Sequence, residues 1–244
     1  DEMIWRRSCL AIAAAAALAG MSAAQTALTP PKPLVYYAGQ AARLTSDRDA
    51  LGGNPFASAL VAVLKENPRT LADFGAQLSA TNARYSRGWQ QAQLPRSLPD
   101  PKWRIDDTSK KRVALVLINA DYSKSNGVYS LPGAAFDAQR VPKALIDAGF
   151  ETLVELDKNG EAARRALADF AKLSEAADAS LIYVGGHGIQ HRRVVYWMMG
   201  DYPEQDAKWL PTHAISLDEI GLAGRARDVN LVLYASCRDD PFLK

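Results

Sequence analysis

Cysteine and histidine are scarce in this 244-residue sequence, with two of the first and three of the second. Two cysteines cannot build a disulfide framework, and a cysteine-rich zinc site is excluded. An excess of one charge is also missing. The 29 Lys and Arg against 27 Asp and Glu leave a net charge of +2, with no long basic run to bind nucleic acid. No apolar stretch reaches the ~20 residues that span a bilayer as a helix. The loop after the first buried strand (NADYSKSNG) lacks the glycine spacing of a phosphate or dinucleotide cradle, which sets aside a nucleotide-binding Rossmann protein. What remains is 48% apolar and 23% charged, the composition of a folded chain with a real core.

The first residues read as a targeting segment. Arg6 and Arg7 follow Met3, an alanine-rich apolar run covers 10–20, and Ser22, Ala23 and Ala24 are small. This layout predicts a secretory signal over 1–24, cut after Ala24, and an exported, periplasmic or secreted protein without a stable membrane span. A short N-terminal anchor is the alternative. Cys9 lies at the start of the apolar run, badly placed for a lipid-anchored cysteine at a mature N-terminus. Removal of the signal leaves Cys237 as the remaining thiol.

From residue 112 onward the pattern alternates between strand and helix. Residues 113–119 (VALVLIN) form a continuous branched apolar run, as in a strand buried on both faces. Val141, Ala144, Leu145 and Ala148 mark a helix that Gly149 ends. Further strands are expected over 152–156, 180–184 and 230–235, a helix with Ala163, Leu167, Phe170 and Ala171 on one face, and a ribbon over 194–199. Ser216 and Glu219 read as a capping box. This order predicts an α/β fold, a parallel sheet with helices on both faces. Residues 30–98 read as a separate block, with a strand over 34–38, a helix started by Asn54 and Pro55, and another begun at Thr70. Residues 93–111, with three prolines and mixed charge, read as a linker whose core is 99–111 before the block 112–244.

In a parallel sheet, sites form at the carboxyl ends of the strands. His187 follows one predicted strand and Cys237 another, so both arrive at one edge. A thiol beside an imidazole is the minimum equipment for a cysteine nucleophile. The glycines of GGHG allow close backbone approach, and the amides of Gly188 and Cys237 are candidate donors to an oxyanion. The plainer alternatives are a buried small hydrophobe and a surface histidine. His187 and His191 are four apart, but the first follows a strand, which argues against a helical metal pair. His213 has no partner motif. No metal and no cofactor are expected.

The segments KRVALVLINADY, LPGAAFDAQRVPKALIDAGFE, ASLIYVGGHGIQ and IGLAGRARDVNLVLYASCRDDPF, in that order, resemble the large-subunit part of caspase-like peptidases, especially the bacterial metacaspase group. The resemblance covers 111–242. It implies a three-layer α/β/α sandwich, a catalytic dyad of His187 and Cys237 working through a thioester, an oxyanion site at Gly188, and a peptide or protein substrate. Asp137 matches an acidic residue that in metacaspases lines a pocket for Arg or Lys, which implies cleavage after basic residues. At the second acidic position, where aspartate is common, this sequence has Ala235. An acid in the first turn of a helix is the other reading of Asp137. Residues 35–95 resemble the small-subunit part, which in the family follows the cysteine. The order here implies a circular permutation, and a fragment of a longer chain is the alternative. A catalytically silent binding module is the competing function.

Overall fold

A strand buried on both faces must divide its side chains between two cores, and the central strand of this protein does so. The computed structural model describes residues 29–242, so the signal expected over 1–24, with Cys9, lies outside the described residues. In chain order the elements are β1 (Leu34–Tyr37), α1 (Pro55–Lys65), α2 (Leu71–Tyr85), β2 (Arg112–Ile118), α3 (Pro132–Asp147), β3 (Glu151–Leu156), α4 (Gly160–Glu175), β4 (Ala179–Gly185), β5 (Gly188–His191), β6 (Val194–Met198), α5 (Leu210–His213), β7 (Ala214–Ser216), α6 (Leu217–Gly221) and β8 (Val229–Tyr234). Five strands form one parallel sheet in the order β1-β8-β4-β2-β3.

Along β2, Ala114, Val116 and Ile118 join a core with Phe56, Leu60, Phe74, Leu78, Val141 and Leu145. Val113, Leu115 and Leu117 join a second core with Ala163, Leu167, Phe170 and Ile220. Side chains alternate across the sheet, so α1, α2 and α3 cover one face and α4 and α6 the other. The predicted three-layer α/β/α sandwich follows. Among the described residues no helix is long and apolar enough to cross a membrane.

Local chemistry sets the element ends. Asn54 accepts from Phe56 N at 2.8 Å and Pro55 opens α1, while Thr70 caps α2. Gly149 (φ 87°) ends α3 in a Schellman arrangement, with Phe150 N bonded to Leu145 O and Gly149 N to Ile146 O. The expected Ser216 box forms by half. The serine hydroxyl accepts from Glu219 N at 3.1 Å, but the Glu219 carboxylate turns to Arg164 at 2.8 Å.

The structure differs from the sequence reading in three places. Residues 30–98 share the sheet and one core with the rest of the chain: β1 pairs with β8 from Leu34↔Leu231 to Tyr37↔Tyr234. The supposed linker is docked. Leu71 N donates to Trp103 O, Ile105 N donates to Arg69 O, and Ile105 is buried. Its prolines and charges concealed these two apolar anchors. The ribbon near 194–199 is the middle of a three-stranded antiparallel sheet, β5-β6-β7, whose outer strands are too short for a periodic signal.

Candidate active site

The parallel arrangement carries two chain exits to the same place. β4 ends at Gly185 and its neighbour β8 at Tyr234, with Ala235 N still bonded to Val184 O at 2.8 Å. His187 and Cys237 follow within three residues and line one cleft. Glycine is required on this path. Gly186 has φ 126°, and a Cβ there would stand 2.6 Å from Asn119 O. At Gly188 a Cβ would stand 2.0 Å from Tyr234 Oη and 2.7 Å from Cys237 O, so the two segments touch backbone to backbone.

His187 is held from two sides. Its amide donates to Tyr122 Oη at 2.9 Å, and the buried Tyr122 hydroxyl donates to Met198 O at 3.1 Å. Its Nε2 lies 2.7 Å from the Tyr129 carbonyl oxygen. A carbonyl only accepts, so this contact selects the Nε2–H tautomer and leaves the lone pair on Nδ1. Burial lowers the imidazole below its ordinary value, against the pull of the Tyr129 bond and of Asp47 and Asp239.

The thiol has other partners. Thr45 N donates to Cys237 Sγ at 3.2 Å, and Thr45 Oγ1 lies 3.2 Å from the same sulfur. Burial pushes the thiol up, opposed by these two bonds. No hydrogen bond joins His187 to Cys237, and both groups rest neutral. The cleft is about 80 Å³, well under the ~300 Å³ at which ligand pockets begin. Thr45 and the half-buried Cys237 both line it, with Thr45 on the sulfur.

Beside the thiol lie two carboxylates. Asp137 is buried, accepts from Asn54 N at 3.0 Å and pairs with Arg140 at 2.7 Å. Burial pushes its carboxyl up to about 7, opposed first by Arg140 and then by the Asn54 amide. Its side chain is 2% exposed. Asp47, which sequence reasoning missed, accepts from Gly133 N and Ala134 N at the start of α3, and its side chain is 25% exposed. Thr45, Asp47 and the Tyr129 carbonyl sit in loops without a motif; only their place in the fold brings them here. Arg238, after the cysteine, donates to Gln93 Oε1 at 2.8 Å and lies 3.8 Å over the Tyr37 ring, tying the cysteine loop to β1.

The other histidines stand apart. His191 Nδ1 faces Asp240 at 3.1 Å and His213 Nδ1 faces Thr212 Oγ1 at 2.8 Å, so no histidine pair forms. Among the described residues no three His, Cys, Asp or Glu side chains converge as metal ligands.

A family model for the caspase domain matches residues 111–244, more than half of the chain. No curated protein matches it. The fold, a parallel five-stranded sheet between helical layers, agrees with that match. The chain belongs to the caspase-domain family of cysteine peptidases.

Proposed function

We propose that the protein is a cysteine endopeptidase in which Cys237 is the nucleophile and His187 the base. The observation that carries this reading is the Tyr129 carbonyl on Nε2, which leaves Nδ1 as the basic atom in the cleft that holds the thiol. Substrate entry displaces Thr45 from the sulfur. Nδ1 takes the thiol proton and the thiolate attacks the scissile carbonyl carbon. The amides of Gly188 and Cys237 stabilise the oxyanion. Collapse breaks the C–N bond, the leaving amine takes the proton from the imidazolium, and the acyl group stays on sulfur as a thioester. Water, deprotonated by the same imidazole, releases the acid. Cys237→Ala and His187→Ala should each abolish hydrolysis of fluorogenic peptides while circular dichroism shows a folded protein; full activity in either variant ends the proposal.

Cleavage after basic residues is supported by the charges in the cleft. Asp47 and Asp137 bring their carboxylates to the cleft, while the guanidinium groups that pair with them, Arg48 at 3.7 Å and Arg140 at 2.7 Å, are not among its lining residues. Asp47, the more exposed of the two carboxylates, does the work that an acid at Ala235 would do. The amino-terminal part supports the permuted order, since its strand β1 pairs with β8 and its two helices, α1 and α2, share one core with β8. We also retain the export read from residues 1–24 as part of this proposal.

One observation favours a second reading, a silent binding module: the thiol bonds to Thr45 and not to the imidazole. A peptide with a thiol-reactive end group separates the two, since labelling at Cys237 requires a pocket that opens and a thiolate that forms.

A further inference from the structure

The cleft beside Cys237 is lined on its inner side by Tyr183 of β4. Tyr183 is 0% exposed, and its hydroxyl is buried with no hydrogen-bond partner among the described residues. Other buried tyrosine hydroxyls around the site are engaged: Tyr122 with Met198 O and His187 N, and Tyr234 with Tyr196 O at 2.7 Å. A buried hydroxyl without a partner opposes folding unless a ligand completes it.

The neighbouring residues explain why this hydroxyl belongs to the pocket. Two positions that would shield it carry almost nothing. Gly185 has no side chain, and a Cβ there would stand 3.3 Å from Tyr183 Cε1. Ala235, just past the end of the adjacent β8, contributes a methyl group to the same cleft. The phenol ring thus occupies room that larger residues at 185 and 235 would take. Asp137 lies close enough to raise the phenol further above its ordinary value, already lifted by burial, so the hydroxyl stays neutral and can accept a hydrogen bond.

We propose that the Tyr183 hydroxyl forms the floor of the primary specificity pocket and accepts a hydrogen bond from the N–H groups at the end of an arginine or lysine side chain. This rests on the endopeptidase reading above. Asp47 and Asp137 supply charge on the walls, and Tyr183 supplies a neutral acceptor at depth. A site built to bond a substrate N–H discriminates against a side chain that lacks one, because its own polar group is then left unpaired. Tyr183 is a specificity residue and takes no part in bond breaking.

The test compares wild type and Tyr183→Phe on three peptides alike except at the residue before the cut: arginine, citrulline, which keeps the N–H groups without the charge, and norleucine, which has neither. We expect the arginine-to-norleucine ratio of kcat/KM to fall about 10- to 100-fold in the variant, and the citrulline-to-norleucine ratio to fall as well. The melting temperature should hold or rise, since the hydroxyl removed has no partner in the free protein. Ratios within twofold of wild type, or an equal fall for all three peptides, overturn the proposal. A wild type with no preference for arginine over norleucine overturns it together with the basic-residue reading, whereas loss of all hydrolysis in Cys237→Ala with an unchanged Tyr183→Phe ratio overturns it alone.

Discussion

At Cys237 two effects oppose each other. Burial disfavours the thiolate, and the two Thr45 contacts favour it. Burial prevails, so the sulfur waits as a thiol and depends on its base. The base we propose for it is His187, whose imidazole lies below 6.5 because desolvation outweighs the Tyr129 bond. A lowered value means the ring stays neutral, and able to accept a proton, to lower pH than a free histidine. We therefore expect the acid limb of kcat/KM, measured on a norleucine peptide to keep the carboxylates out of the profile, to have its midpoint below 6.5. A midpoint above that value would overturn the lowered imidazole, and one at about 3–4 would indicate a preformed imidazolium–thiolate pair, whose acid limb reports the depressed thiol. The sign for stability is the same: the contribution of His187 is present above 6.5 and is lost as pH falls through its lower folded value.

At the scale of elements, strand and helix ends position the chemistry. The 121–131 loop between β2 and α3 delivers the Tyr129 carbonyl, the loop after β1 delivers Thr45 and Asp47, and the capping of α3 by Asp47 ties these two loops together. At the other end of α3, Gly149 is required twice, by its positive φ and by Arg112 Nη2, which a Cβ would approach to 2.6 Å. Gly149→Ala should destabilise the fold by at least ~1–2 kcal/mol, the cost of a left-handed alanine, read as a lower urea midpoint with an unchanged slope. An unchanged midpoint would show that the chain turns there by another route.

At the scale of the molecule, the part outside the family match completes the site. Asn54 donates from its side chain to Ala235 O and from its amide to Asp137, Thr45 donates to Cys237, and Arg238 reaches back to Gln93. Residues 93–111 join the parts as a docked segment, and the permuted order we propose implies that catalysis needs no cut between them. We expect the intact chain to hydrolyse peptides, with mass spectrometry of the assayed sample finding no cleavage in 93–111. Activity that appears only with such a cut contradicts the permuted arrangement.

How much of this is legible in the sequence depends on range. Apolar periodicity and capping are local, so residues 113–119, the Asn54–Pro55 start and the Gly149 stop could be read from their neighbours, and GGHG and SCR announced His187 and Cys237 at strand ends. The acid at 137 was legible as well, but not its pairing with Arg140 and the Asn54 amide. Pairings across the fold leave no local trace. That β1 joins β8, that Trp103 and Ile105 anchor a proline-rich stretch, and that Thr45, Asp47 and Tyr129 meet at the thiol follow from which strands lie side by side. The sequence by itself determined the elements and the two chemical groups, because these depend on near neighbours along the chain. The tertiary structure decided the tautomer, the partners of the sulfur and the shape of the pocket, because burial and hydrogen-bond partners arise only when distant segments pack.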